Sequence, residues 1–299
     1  MNVLIIGGSN IDYLAYPVNP LKLHDSNPGY VHQSMGGVAR NIAENLGRVN
    51  LSPKLITLIG KDNLGQNLKK YTENHGVKIY PINHAQQPSY IAILDHHKDM
   101  YVAITNTTLF EQLTAEDLLV YRPIIQESEC LILDLNMNSE LLGWLISEYK
   151  KPIYVEATSS QKVLKIKPYL NRINVLKLNQ VEAQVLTGIS DPHQAVDALI
   201  QLGIEEVYLT LGEKGVIYGN HQSIITKNYK AQITGNTTGA GDAFFAGIIY
   251  GKIKLINPLI TAFGFAHITL SSHQSVAETL NEKTLNKTIK EWITDDTNA

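Results

Sequence analysis

Short apolar runs separated by helix-period segments recur along almost the whole chain, and this alternation leaves few folds open. Residues 3–6, 55–59, 131–135, 153–155, 175–178 and 207–211 are mostly apolar runs bounded by turn signals. Strands buried on both faces have this character. In the segment 37–50, Val38, Ile42, Leu46 and Val49 recur at helical spacing, and segments 141–149 and 195–202 behave similarly. Strand–helix–strand repetition predicts an α/β fold: a central, mostly parallel sheet flanked by helices on both faces. Past Asn257 the chain is mainly helical, through 259–270 and 284–293.

Two segments break the rhythm. Residues 12–33 are rich in Tyr, Pro, Asn and His and lack a helical period; residues 89–105 alternate across the polar turn Asp95-His96-His97-Lys98-Asp99, a hairpin pattern. Both read as a small β lid projecting from the main sheet. No low-complexity linker or internal repeat separates the parts, so residues 1–299 are expected to form one domain with the lid embedded at about 12–33 and 89–105.

Composition narrows the partners. With 44% hydrophobic and 18% charged residues the chain can build an ordered core. A net charge of −3 and scattered lysines argue against a polynucleotide or an anionic membrane surface, either of which wants a basic excess. The single cysteine, Cys130, excludes an internal disulfide and a CxxC site; inside an apolar run it reads as a small core residue. The N-terminal run enters a strand without the basic region of a secretory leader. No apolar stretch approaches the roughly 20 residues of a membrane helix. A cytoplasmic location is expected.

The sharpest local feature is Gly235-Asn-Thr-Thr-Gly239-Ala240-Gly241-Asp242-Ala-Phe-Phe-Ala-Gly247. Helix-forming residues follow Ala243, which puts Gly239, Ala240 and Gly241 at a helix N-terminus. Free N–H groups and the positive dipole end make such a place an anion site, suited to the charge on a transferring phosphoryl group. Asp242, in the first turn, can orient an attacking hydroxyl and take its proton. A glycine turn followed by a dipole-complementing Asp fits the local chemistry equally well. Neither a Walker A sequence nor a GxGxxG at the first helix is present.

The segment Asn236-Thr-Thr-Gly-Ala-Gly-Asp242-Ala-Phe resembles the C-terminal DTxGAGDxF signature of PfkB kinases. Upstream, Gly36-Gly37-Val-Ala-Arg40-Asn41-Ile-Ala43 resembles that family's N-terminal GG…N signature, Asn179-Gln-Val-Glu182 its NxxE motif, and Thr210-Leu-Gly212-Glu-Lys-Gly215 its nucleotide-site strand and turn. The four occur in the family's order and cover essentially the whole chain. The resemblance implies a ribokinase-like fold and an ATP-dependent kinase. It makes Asp242 the catalytic base and the backbone from Gly239 through Ala240 and Gly241 the anion hole. Asn179 and Glu182 would position Mg²⁺ near the ATP phosphates, Thr210 and Gly212 would line the nucleotide site, and Asp12, Gly36, Gly37 and Asn41 would grip the acceptor's sugar. A carboxylate and an amide suit vicinal hydroxyls, which both donate and accept, and the two glycines would let the sugar press against backbone. Asn236 replaces the signature's first Asp, removing a charge that supports a monovalent cation and weakening the case for K⁺ activation.

Within the family, the run from Gly36 to Arg48, with Arg40 before Asn41, is similar to pseudouridine kinases, as are the lid strands around Tyr90 and Tyr101 and Asp134-Leu-Asn136 at a strand end. The implied reaction moves the ATP γ-phosphoryl group to the 5′-hydroxyl of pseudouridine. Ribokinase, fructokinase and other nucleoside kinases share the catalytic segment and stay open, as does a silent sugar- or nucleoside-binding protein. Arg40 equally suits an ordinary ion pair, Tyr90 and Tyr101 lid packing, and His96 and His97 a solvated turn. Lids of this family often pair across a dimer, and an exposed edge strand makes a homodimer physically sensible.

Overall fold

The structure, a computed structural model, describes residues 2–97, 99–228 and 238–296, with the side chains of 292–296 left aside. The strands are β1 (Val3–Ile6), β2 (Asn10–Pro17), β3 (Gly29–Gly36), β4 (Lys54–Gly60), β5 (Lys78–His84), β6 (Ser89–Leu94) and β7 (Met100–Thr105). They continue with β8 (Cys130–Asp134), β9 (Ile153–Glu156), β10 (Val175–Asn179), β11 (Glu206–Thr210), β12 (Val216–Asn220) and β13 (Ile224–Lys227). Nine of them form one sheet in the order β13-β12-β11-β10-β9-β8-β1-β4-β5, and β3-β2-β6-β7 form a second, smaller one.

Pairing in the large sheet is parallel from β5 across to β11, and the β11–β12 and β12–β13 pairs are antiparallel. Its strands are buried on both sides because alternate side chains feed two cores. Ile5, Leu55, Ile132 and Val175 face one, together with helices Val38–Arg48, Ala240–Lys254 and Pro258–Leu270. Leu4, Ile56, Leu133 and Leu176 face the other, with helices Ser139–Glu148 and Pro192–Gln201. Cys130 lies fully buried in the first core. The expected strands and helices all form.

The smaller β sheet expected beside the main one also forms. The β2–β3 ladder runs from Asn10 opposite Gly36 to Pro17 opposite Gly29. β6 and β7 form the second hairpin, closed by Asp95, whose Oδ1 accepts from the N–H groups of His97 and Asp99. Parallel pairing of β2 with β6 joins the two inserted segments into one sheet.

Several site-bearing turns leave the large sheet at the carboxyl ends of β1, β8, β9, β10 and β11, the edge at which open α/β sheets bind ligands. Asp134, at the end of β8, organises this edge. It is fully buried and accepts the N–H groups of Gly8 (2.7 Å), Ala39 (3.1 Å) and Asn136 (3.0 Å). Helix Val38–Arg48 has no cap from its own flanking residue, so Asp134 supplies the cap from another strand. A side chain at Gly7 would meet the Asp134 carboxyl at 2.4 Å. Burial pushes the Asp134 carboxyl above the usual carboxylate range, against the pull of those N–H groups.

Asp134→Ala leaves three buried N–H groups without their acceptor and should lower stability by about 2–4 kcal/mol in urea unfolding. Asp134→Asn, which keeps one carbonyl oxygen, should lose less.

Candidate active site

Asp242 stands in the first turn of helix Ala240–Lys254, as expected, and is nearly buried. The turn before it depends on Gly239, which adopts φ +82° and whose Cβ position lies 2.0 Å from the Ser275 carbonyl oxygen. Only glycine fits both conditions. The helix is held in place by close packing on Pro258–Leu270: side-chain positions at Gly247 and Gly251 would meet Ala262 Cα at 2.5 Å and Thr261 Oγ1 at 2.4 Å. The first N–H groups of such a helix lack intrahelical partners and point toward the space before Gly239.

Asn41 reaches Asp242 from the opposite side. Its Nδ2 donates to Asp242 Oδ2 at 2.7 Å. Burial, then the nearby Glu156 carboxylate, pushes the Asp242 carboxyl up to about 7, while the Asn41 hydrogen bond and Lys177 pull it down. A carboxyl poised there can hold or release a proton near neutral pH.

Asp12 is half-buried on β2, takes a hydrogen bond from Asn10 Nδ2, and is raised to about 6 by burial against the pull of Arg40. The glycine pair is explained by the chain's own contacts. The room a side chain at Gly36 would need is filled by the Asp12 carboxyl, 2.2 Å away. At Gly37, φ is +97° and the Gly8 carbonyl oxygen lies 2.5 Å from the Cβ position. The glycines therefore seat Asp12 and the Gly8–Ser9 backbone, a need that the expectation of direct sugar contact did not include.

Asn179 and Glu182 form a capping box on helix Gln180–Thr187: Asn179 Oδ1 accepts from Glu182 N–H at 2.9 Å and Glu182 Oε2 from Asn179 N–H at 2.7 Å. This is a local, structural use of the NxxE spacing, and Asn179 is itself exposed. Glu182 is buried, and burial followed by the Glu156 charge raises its carboxyl. Beside it lies an ion pair that the motif reading did not single out. Lys177 Nζ and Glu156 Oε1 are 2.5 Å apart and both side chains are buried. Burial opposes the Lys177 charge, but Glu156, Glu182 and Asp242 outweigh it and hold the ammonium above its ordinary value. A Cβ at Gly241 would lie 2.9 Å from that ammonium, so the lysine borders the glycine turn. A charged residue interrupting the apolar run of β10 was the visible signal.

Among the described residues no group of three or more His, Cys, Asp or Glu could hold a metal by itself. The chemistry here fits a cation shared with phosphates instead. Glu182 and Glu156 are buried carboxylates in excess of the one lysine between them, and a divalent ion with oxygen ligands would satisfy them.

Two cavities are lined by neighbouring residues of the glycine turn, Thr238 in one and Ala240 and Gly241 in the other. One, of about 390 Å³, is lined by Thr210, Gly212, Ala240, Gly241, Phe244 and Phe263 among others; the two phenylalanine rings meet edge to face at 5.6 Å. Gly212 needs glycine for its φ of +64° and has open space at its Cβ position. The other, of about 300 Å³, runs under the lid between Asp12, Tyr16, His32, Tyr90 and Met100 on one side and Thr238, His273 and Ser275 on the other. His32, His273 and Ser275 were not foreseen; they carry no motif. Asn236 lies outside the described residues.

A nine-stranded sheet with a smaller second sheet, and a glycine turn at a helix start followed by a buried carboxyl, define the class of ribokinase-like kinases. Residues 1–273 match the family described as pfkB family carbohydrate kinase, and the chain belongs to it. It is 34% identical over 257 residues to the pseudouridine kinase of Escherichia coli strain K12, covering 82% of each chain. In structure it resembles a carbohydrate kinase from Agrobacterium tumefaciens, with TM-score 0.85 and 26% identity over 97% of each chain. It also superposes on the ribokinase of Thermotoga maritima with TM-score 0.86 and 18% identity, covering 97% of this chain and 99% of the other. Kinases of this family use ATP and Mg²⁺ on small-molecule acceptors.

Because Asp242 titrates near 7 in the folded chain and near 3.8 in the unfolded one, the folded state holds a proton between those values that the unfolded state has lost. Stability from this group is present below about 4 and is lost as pH rises through about 7. Asp242→Asn should therefore raise the thermal midpoint at pH 8 and change it little at pH 4. Gly239→Ala should lower both stability and turnover, since Ala meets the positive φ and the Ser275 backbone at once.

Proposed function

We propose that the chain transfers the γ-phosphoryl group of ATP to the 5′-hydroxyl of pseudouridine, giving pseudouridine 5′-phosphate and ADP. The observation that carries the kinase reading is that Thr238 lines one cavity while Ala240 and Gly241, two and three residues on, line the other. ATP occupies the cavity of Thr210 and Gly212, with its phosphates reaching the N–H groups around Gly239, Ala240 and Gly241. The acceptor occupies the lid cavity, its ribose hydroxyls on Asp12 and Asn41. The acceptor choice rests on the 34% identity to a pseudouridine kinase. The Tyr16, Tyr90 and Met100 side chains in the cavity wall suit a planar base.

In the reaction the 5′-oxygen attacks the γ-phosphorus, the bond from that phosphorus to the β–γ bridging oxygen breaks, and the hydroxyl proton passes to Asp242. Lys177 and the anion hole hold the phosphoryl oxygens as charge shifts across them. Mg²⁺, positioned through Glu182 and Asn179, would screen the phosphates when bound. Replacement of the signature Asp by Asn236 goes with weak or absent K⁺ activation. Residues 1–299 act as one kinase unit in the cytoplasm, with lid segments 12–33 and 89–105 closing over the acceptor to exclude water.

The lid sheet also supports a homodimer. Its face away from the cavity carries Val31, Ile91, Ile93, Val102 and Ile104, all exposed, a larger apolar surface than an isolated sheet normally shows water. Ile91→Lys with Ile104→Lys should shift the mass in light scattering to that of the monomer; a wild-type chain that is already monomeric would end the dimer proposal.

An ADP-release assay with Mg-ATP against pseudouridine, uridine, adenosine, ribose and fructose tests the function. Preference for pseudouridine, reduced about 10²–10⁴-fold by Asp242→Asn, is the expected result. Turnover of a different acceptor would keep the kinase and replace the substrate. Absence of Asp242-dependent turnover with every acceptor would favour a binding protein.

A further inference from the structure

Arg40 precedes Asn41 in the sequence, yet it does not line the acceptor cavity. Its side chain is 1% exposed, the largest fully buried one among the described residues. Nε donates to the Gly36 carbonyl at 3.0 Å, Nη2 to the Met35 carbonyl at 2.8 Å and to Asn41 Oδ1, and Nη1 to the Glu44 carboxylate. Glu44, equally buried, is held from its other oxygen by Arg48 at 2.7 Å. One face of helix Val38–Arg48 thus carries a continuous chain of charge-assisted contacts from Arg48 through Glu44 and Arg40 to Asn41, and from there to Asp242.

The amide of Asn41 has one accepting end and one donating end, and its two neighbours are of opposite kinds. Arg40 only donates and an ionised Asp242 only accepts. Only one orientation satisfies both; the flipped amide would set its N–H₂ against the guanidinium and its oxygen against the carboxylate. An Arg serving only to pair with Glu44 would need no contact with Asn41. We propose that Arg40 is a positioning residue of the phosphotransfer site: by donating to Asn41 Oδ1 it fixes the amide with its N–H toward Asp242.

This inference rests on Asp242 being the base. Without Arg40 the amide loses its preferred orientation, the hydrogen bond favouring the ionised carboxyl weakens, and Asp242 binds its proton more tightly. The other charges facing Asp242 are Glu156 on β9, Lys177 on β10 and Asp134 on β8, and none of them changes with Arg40. Arg40 also faces Asp12, whose remaining partner is Asn10.

The experiment is the pH dependence of kcat/KM for the acceptor the enzyme turns over, with Mg-ATP, in wild type, R40K, R40Q, N41A, R40K/N41A and D242N, alongside thermal midpoints. Lys keeps the charge and Gln a planar amide, but neither can reach Gly36, Met35, Glu44 and Asn41 together. The acid limb in R40K and R40Q should move up by about 1 pH unit, N41A should move it as far, and the double variant should match N41A. An acid limb unmoved in folded R40K and R40Q while N41A shifts it would overturn the proposal, as would additive shifts in the double variant. Failure of both Arg40 variants to fold would also overturn it, leaving Arg40 purely structural. Full activity in D242N would instead overturn the base reading, an outcome independent of what Arg40 does.

Discussion

The Asp134 carboxylate is the interaction on which the geometry of the acceptor side depends. Its acceptors gather the turn after β1, the start of helix Val38–Arg48 and the turn after β8 onto one point. The helix carrying Asn41 therefore starts where the sheet edge dictates, and residues that are distant in sequence converge on the glycine turn before Asp242. Gly7 and Gly37 are consequences of the same requirement, because any side chain at either place would strike the carboxyl or the Gly8 backbone. Burying this carboxylate costs free energy, which the N–H groups offset only in part; its raised pKa is the trace of that deficit.

The same deficit recurs across the site. Glu156, Glu182 and Asp242 are all buried around the buried Lys177 ammonium. A protein optimised only for stability would not collect carboxylates in this way. Charge imbalance of this sense is relieved by a divalent cation, and the excess positive field at the helix start is relieved by phosphates. The two ligands of a kinase are each complementary to what the protein leaves unsatisfied. Pre-organisation is what that stored cost supports: dipoles and charges stand in place before the phosphoryl group moves.

Much of this was legible in the sequence. Buried parallel strands declare themselves as apolar runs, and a glycine turn followed by helix formers declares a helix N-terminus. What escaped has physical reasons. β5 carries Pro81 within a polar-flanked run, which reads as a strand breaker until its place at the sheet edge is known. β12 and β13 hold Gly219 and exposed polar residues because an edge pair needs only one buried face. Lys177 and Glu156 are 21 residues apart, and only the adjacency of β9 and β10 brings them together. The NxxE spacing has a capping-box use that competes with its ligand use, and a single sequence cannot separate them because both need the same residues at the same positions.

The lid shows how one strand pattern can serve two surfaces. Pairing sets Leu14 beside His32 and Ala92, and Asp12 beside Ser34 and Tyr90, on the face that lines the cavity opposite Thr238, His273 and Ser275. One residue along, Ala15 pairs with Val31 and Ile93, and Tyr13 with Gln33 and Ile91, on the opposite face. Since side chains alternate strictly, a register slip of one residue would exchange the two faces, sending Asp12 outward and aliphatic side chains into the cavity. The register is therefore held where the lid meets the body: Gln87 donates to the Ser9 carbonyl at 3.0 Å, Ile11 N–H to the Pro88 carbonyl at 2.9 Å, and Asn106 Oδ1 accepts the Ser89 N–H at 2.5 Å. These contacts lie at the base of the sheet, leaving its far end free of them. An anchor at the base fixes which face each strand presents.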